Sequence, residues 1–261
     1  VVKGLVAWNE IMADISEGED YIEIEATAWQ FAWNLRYPGQ DGKLGVKDFR
    51  LIKAGKNDLG QDWHDERNLD DFNSDALVLP KGKKIRVRII GRDVLHNFYL
   101  PHFRVKMDAV PGIPTYFIFT PIKTTEEYRQ ELRKYPEYNV PSDPADPNSP
   151  PKWKTFNYEL ACAELCGKGH YSMRRLVRIV SPEEFEKWNS SQKSFYLSSV
   201  RNTEEDPFKG KPIGIEVNLK AKEFEMALNK ALDTANTNQA DRLLRLDNLY
   251  FETASAELSA E

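Results

Sequence analysis

Short strands separated by turn signals, with no helix of crossover length between them, set the tightest limit on how this chain can fold. In Tyr21–Ala28, Ile22, Ile24, Ala26 and Ala28 alternate with Tyr21, Glu23, Glu25 and Thr27, the period of a strand with one buried face. The strand runs into an aromatic cluster, Trp29-Gln-Phe-Ala-Trp33, and stops near Tyr37-Pro-Gly39. Ala76–Leu79 and Lys84–Ile90 flank Pro80-Lys-Gly82, where Pro pre-sets φ and Gly supplies the permissive position of a β-turn. Val94–Leu100, Tyr116–Thr120 and Arg175–Val180 are further strand candidates. The series predicts a mainly β chain built as an antiparallel sandwich or barrel.

Other stretches interrupt the series. Residues 40–74 are rich in Gly, Asp and Asn and read mainly as loop. Residues 122–151 open with a helix-compatible stretch, Thr125–Arg133, and end in a segment with prolines at 136, 141, 144, 147, 150 and 151. Proline cannot donate to a central sheet, so this reads as a surface insertion. Ser181-Pro-Glu-Glu184 fits a capping box with Pro at the first helical position, which predicts a helix to about Asn189. A polar tract to about Lys211 follows, then a helical pattern near Ala221–Ala235 carrying Phe224, Ala227, Leu228, Ala231 and Leu232.

Composition removes several classes of function. The 261 residues carry 36 Lys and Arg against 41 Asp and Glu, a net charge of −5. No broad basic field exists to hold nucleic acid. A spanning helix needs about 20 apolar residues in a row; Val1–Ala7 is broken by Lys3, and Ile85–Ile90 by Arg86 and Arg88. The chain opens on Val-Val without a signal-peptide pattern, so it is either soluble or a piece of something longer. Two cysteines are too few for a disulfide scaffold.

Those cysteines carry the chemistry. Cys162, Cys166, His170 and Met173 stand in a C-x₃-C-x₃-H-x₂-M spacing, and His96 ends the upstream run Asp93-Val-Leu-His96. Thiolate and thioether ligands are soft and select copper, and Cys, His and a weak Met on a β scaffold form an electron-transfer pattern. A mononuclear site needs one thiolate; with two, one loop can supply sulfurs that each bridge a pair of metals, leaving each metal one His. A Cys162–Cys166 disulfide would explain neither His170 nor Met173. Structural zinc on two Cys and two His is possible in stoichiometry, but it has no use for Met173. His64, in Asp62-Trp-His-Asp-Glu66, reads as a solvated loop residue.

Asp93–His96, Lys106-Met-Asp-Ala-Val-Pro-Gly112 and Cys162–Met173 together closely resemble the dinuclear copper (CuA) domain of subunit II of haem–copper cytochrome c oxidases. Trp29–Trp33 followed by Tyr37 resembles that family's aromatic segment, and the likeness covers about residues 20–121 and 152–188. It implies a cupredoxin-like Greek-key barrel with a helical C-terminal extension. Cys162 and Cys166 would bridge the coppers, and His96 and His170 would be the terminal imidazoles. Met173 and the backbone carbonyl of Glu164 would be the weak ligands. The Glu164 side chain would point towards subunit I, where the family holds magnesium. Asp93 falls at a cytochrome c docking position, and Phe31 stands where many relatives carry an electron-accepting Trp, with Trp29 and Trp33 as substitutes. Trp33 also reads as core. His102 has no ligand role in the pattern and reads as a surface residue or a neighbour of the ligands.

The domains expected from the resemblance are a stub over 1–19, following transmembrane helices absent from this sequence, and a copper domain over 20–182 that includes the 122–151 insertion. A helical and linker extension over 183–245 follows. Leu246–Leu258 resembles the opening of an OmpA-type peptidoglycan-binding domain over 246–261, the alternative being an ordinary strand and turn. The implied role is an electron-transfer subunit on the periplasmic face of a bacterial inner membrane. It would take electrons from a c-type cytochrome, membrane-bound or within a supercomplex, and pass them to haem held in subunit I among the other oxidase subunits. Oxygen reduction and proton pumping would belong to the partner, and peptidoglycan would be a partner of the tail. The CuA domain of nitrous oxide reductase, a copper-delivery or storage module, and a structural zinc or disulfide domain are the rival readings.

Overall fold

The structure, a computed structural model, describes residues 1–232 and two short paired strands, Tyr250–Phe251 and Leu258–Ser259. The rest of the stretch read as an OmpA-type opening lies outside the described residues. Two compact units are present, Val1–Pro207 and Phe208–Glu261.

Ten strands build the first unit: β1 (Tyr21–Trp29), β2 (Ala32–Tyr37), β3 (Phe72–Ser74), β4 (Leu77–Pro80), β5 (Lys84–Gly91), β6 (His96–Leu100), β7 (Val105–Ala109), β8 (Thr115–Phe119), β9 (Tyr158–Cys162) and β10 (Arg174–Val180). They form two five-stranded sheets, ordered β3-β2-β1-β5-β8 and β4-β10-β9-β6-β7. The mainly β, cupredoxin-like expectation holds, with one correction to the all-antiparallel reading. β1 pairs with β5 in parallel, and so does β4 with β10. Each parallel pair joins strands separated by a passage through the other sheet, a connection that local strand patterns do not display.

Alternation places the core. In β5, Ile85, Val87, Ile89 and Gly91 are buried while the residues between them are not. Ile24, Ala26, Leu35 and Val87 from one sheet share a single apolar cluster with Leu77, Phe98, Leu100, Leu160 and Val177 from the other. Tyr37 crosses between the sheets: its hydroxyl donates to the Val78 carbonyl at 3.0 Å and accepts from the Val78 N–H at 2.7 Å. Two hydrogen bonds satisfy a buried phenol that would otherwise be costly in a dry core.

β1 departs from simple alternation. Glu25 and Thr27, on the face expected to meet water, are buried. Residues 40–71 fold back over that face, and Arg36 stands 3.4 Å from Glu25 and 3.3 Å from Asp71, with Lys47 at 2.5 Å from Glu25. The same excursion ends in β3, an edge strand paired with β2 that its three residues, Phe-Asn-Ser, do not announce.

The insertion lies on the outside of β10. Helix α2 (Thr125–Leu132), preceded in the chain by α1 (Val2–Ile11), starts on a Thr124–Glu127 capping box. Thr125 Oγ1 accepts from the Ile179 N–H at 2.9 Å, and Leu132 is buried, so the segment is clipped to the second sheet. A short α3 (Lys152–Thr155) leads into β9, and α4 (Pro182–Ser191) begins on the expected Ser181–Glu184 box. The tract after α4, read as polar, is packed rather than loose. Tyr196 and Val200 are buried, Trp63 stacks on Phe195 at 6.1 Å, and Ser194 Oγ donates to the Leu69 carbonyl. In the second unit, α5 (Gly214–Leu232) begins seven residues before the expected helix at Ala221. No helix among the described residues is long and apolar enough to cross a membrane.

Candidate metal centre

Sheet order brings the donors together. β6 and β9 are neighbours in register, Phe98 opposite Cys162. His96 is the first residue of β6, Cys162 the last of β9, and β10 starts immediately after Met173. The loop 163–173 therefore joins two adjacent strands at the end of the sheet where His96 enters. The loop bonds largely to itself and to its flanks: Cys162 N–H to the Met173 carbonyl at 3.2 Å, Ala163 N–H to that of Asn97 at 3.2 Å, and His170 N–H to that of Gly167 at 3.1 Å.

Cys162 Sγ and Cys166 Sγ are 3.9 Å apart and both cysteines are free and buried. Cys162 Sγ lies 3.8 Å from His96 Nδ1 and 3.2 Å from the Glu164 carbonyl oxygen. Cys166 Sγ lies 3.6 Å from His170 Nδ1 and 3.4 Å from Met173 Sδ. Each thiol thus has its own imidazole and its own weak donor. Donors on one tetrahedral ion with metal–sulfur and metal–nitrogen bonds of about 2.3 and 2.0 Å stand about 3.5–3.8 Å apart, so the donor set fits metal. Burial, together with the neighbouring Cys162 thiol, pushes the Cys166 thiol up to about 11, so a bound cation would have to displace its proton.

Around these donors the surroundings are specific. Asp93 Oδ1 is 2.8 Å from His96 Nε2, and the other carboxylate oxygen accepts from the Gln30 N–H at 2.7 Å. Burial opposes ionisation of Asp93, but the His96 and backbone hydrogen bonds outweigh it and hold its carboxyl below the usual range. The ionised carboxylate assigns the ring proton to Nε2 and turns Nδ1 to the thiols, the usual carboxylate support for a ligating imidazole. The Asp93 turn also explains why β6 begins at His96 and not at Val94.

Other sequence candidates fall at different distances from this centre. Trp33 is 2% exposed and lies edge-on to His96 at 6.5 Å and to Phe98 at 5.7 Å. Phe31 is 36% exposed, and its ring covers Gly167 and Gly169, so close that a Cβ added at Gly169 would lie 2.5 Å from it. Trp29 sits under the Arg92 guanidinium at 5.7 Å. The Glu164 side chain is exposed. His102 packs among Phe156, Tyr158 and Tyr128 at 5.0, 5.6 and 6.3 Å, and burial pushes its pKa down. His64 is exposed beside Asp62, 3.2 Å away. Among the described residues His96, Cys162 and Cys166 form the grouping with donor atoms within 4.8 Å of one another. Sequence reading missed Gln30, whose side-chain amide donates to the Cys166 carbonyl; no local pattern signals a bond between residues 136 apart.

Residues 22–129 match the family model described as cytochrome c oxidase subunit II, periplasmic domain. Over 201 residues the chain is 35% identical to the alternative cytochrome c oxidase subunit 2 of Bradyrhizobium diazoefficiens. By these matches the chain resembles the cytochrome c oxidase subunit II family. The Bradyrhizobium alignment takes in 76% of this chain and 60% of that protein. The subunit 2 of Thermostichus vulcanus is 32% identical over 127 residues, 49% of this chain and 29% of the relative. The chain therefore spans less than two thirds of the length of each of these relatives. The crystal structure of the periplasmic domain of subunit II (CoxB) of Bradyrhizobium japonicum is 27% identical, with a TM-score of 0.41, covering 67% of this chain and 96% of that one. The family match ends before the Cys162–Met173 loop, so the reading of that loop rests on its own geometry.

Proposed function

We propose that this subunit II chain is the electron-entry part of a respiratory oxidase and holds a dinuclear copper centre. The observation that carries the reading is the paired donor set: two thiols 3.9 Å apart, each with one imidazole and one weak donor. One four-coordinate ion would leave two of these six donors without a metal, whereas two ions would use them all. Cys162 and Cys166 would be the thiolates shared by the pair, His96 and His170 its imidazole ligands, and Met173 and the Glu164 carbonyl its weak ligands. Bound there, a copper pair supplies one-electron uptake and release with the charge shared across both ions.

The chain's own residues keep that site closed and fixed. His96, Cys162, Cys166 and Met173 are buried, which restricts water. The self-bonded loop and the Asp93–His96 pair hold donor directions, so little rearrangement accompanies a change of charge. Of the three aromatic candidates, Phe31 is the one that both reaches solvent and covers the ligand loop, and it is the contact we assign to the electron donor. The donor in this reading is a c-type cytochrome on the periplasmic face of the inner membrane, and Asp93 borders its docking surface. The exposed Glu164 carboxylate would face subunit I and help hold a magnesium ion there; haem, oxygen reduction and proton translocation would belong to that partner.

Copper content and an EPR spectrum of one copper-loaded sample test the reading. Two coppers per chain sharing one unpaired electron are expected. One copper per chain, or zinc with no signal, would overturn it.

A further inference from the structure

The turn between β1 and β2 touches both ligand segments at once. Gln30 Nε2 donates to the Cys166 carbonyl at 2.5 Å, and the Gln30 main-chain N–H donates to Asp93 Oδ2 at 2.7 Å. Asp93 Oδ1 accepts in turn from His96 Nε2 at 2.8 Å. A single residue thus ties the Cys166 side of the ligand loop to the imidazole that lies across the site beside Cys162. Phe31 forms the apolar half of the same contact, its ring lying 2.9–3.0 Å from where a Cβ on Gly167 would sit.

We propose that Gln30 is a positioning residue of the metal centre, a clamp that fixes the Cys166–Gly167 peptide against the Asp93–His96 pair. The proposal rests on the two-copper reading of the site. Gly167 has φ +135°, a conformation that side-chain-bearing residues rarely adopt. The peptide between Cys166 and Gly167 therefore enters a backbone state that few local forces favour, and its carbonyl needs a partner to keep one orientation. The Gln30 amide is that partner, and a change in this peptide's torsions would carry the following loop, with His170 Nδ1, away from the Cys166 Sγ that lies 3.6 Å from it. Through Asp93 the same residue sets the direction of His96 Nδ1. Loss of groups that orient ligands in this way costs about 10–100-fold in metal affinity.

Copper titration of the full 261-residue chain against Gln30→Met, which keeps the length and loses the donor, tests the clamp. The expected result is a copper dissociation constant raised about 10–100-fold and a shifted reduction potential, with the unfolding midpoint of the metal-free chain unchanged. Asp93→Asn should lower copper affinity too. The double variant should lose less than the product of the two single losses, because both act on one connected unit. If Gln30→Met fails to fold, Gln30→Glu, which turns an acceptor towards the Cys166 carbonyl, gives the same readouts. Wild-type protein with two coppers but no change of affinity or potential in the Gln30 variants overturns the clamp alone. Equal losses in metal-free stability and affinity also overturn it, since they mark Gln30 as ordinary scaffold. Wild-type protein that takes up fewer than two coppers overturns the copper reading beneath it.

Discussion

Gly169→Ala isolates the contact between Phe31 and the ligand loop. Gly169 has φ −93° and ψ 11°, a bridge conformation that alanine can adopt, so the backbone itself resists little. The added methyl would lie 2.5 Å from Phe31 Cγ and Cδ2 and 3.0 Å from its Cβ. Carbon atoms in contact sit about 3.5–4.0 Å apart, so the ring or the loop must retreat by about 1 Å. Phe31 is 36% exposed and can swing outwards, but its Cβ belongs to a backbone tied through Gln30 to Asp93 and Cys166. Overpacking of this kind costs about 1–3 kcal/mol, and we place Gly169→Ala near the middle, at about 2 kcal/mol. Urea unfolding of the metal-free chain measures it. Phe31→Ala removes the obstacle, so adding Gly169→Ala to that background should cost under about 0.5 kcal/mol, a coupling of about 1.5 kcal/mol between the positions. Equal costs of Gly169→Ala with and without Phe31 would refute the reasoning, because the ring would then not be what the methyl meets.

Further expectations concern the donors and the buried charges. Cys162→Ser or His170→Ala should abolish the mixed-valence EPR signal of the copper-loaded chain, while His64→Ala, on its exposed loop, should leave it intact. Arg36→Met leaves Glu25 and Asp71 without their shared guanidinium; removing one partner of a buried ionic group costs about 3–5 kcal/mol, read by denaturant unfolding near neutral pH. Burial pushes the Asp71 carboxyl from 3.8 up to about 7, against the pull of Arg36. The folded state then keeps a proton that the unfolded chain releases, so this group's contribution is complete below about pH 4 and disappears as pH rises through about 7. The loss is about 4 kcal/mol, and Asp71→Asn should flatten that part of the stability profile; an unchanged slope would exclude Asp71 as its source.

Much of the fold was legible wherever a residue's partners lie nearby in the chain. The alternation of Ile85, Val87 and Ile89, and the capping box at Ser181, are local signals, and each structure is as read. Glu25 was not legible as buried, because what covers it is a loop whose charges, Lys47 and Asp71, look solvated when read singly. The same holds for Tyr196, which is buried because Trp63, far upstream, supplies its partner surface. A charged or aromatic residue in a polar stretch carries no local sign of whether a distant segment will cover it.

The metal donors escape this limit in part, and the reason is geometric. Three of the four sulfur and imidazole donors named with Cys162 lie in one loop, so chemical type and spacing reveal them without tertiary information. His96 comes from elsewhere, yet it is the first residue of a strand whose neighbour ends at Cys162, so sheet register carries it to the loop. What spacing cannot reveal is the layer that orients these donors, because a hydrogen bond to a main-chain carbonyl imposes no side-chain type on the residue receiving it. Asp93 is visible as an acidic residue three positions before a histidine, and that position admits docking and imidazole support alike. The two roles use different parts of the carboxylate's surroundings: its oxygens already serve His96, Gln30 and Val94. A docking partner would therefore meet a charge already shared inwards, and Asp93→Asn should act on copper affinity more strongly than on the salt dependence of electron transfer from the donor. Stopped-flow rates at two ionic strengths, set beside a copper titration, separate the two; a large change in salt dependence with unchanged copper affinity would make docking, and not imidazole support, the main role of Asp93.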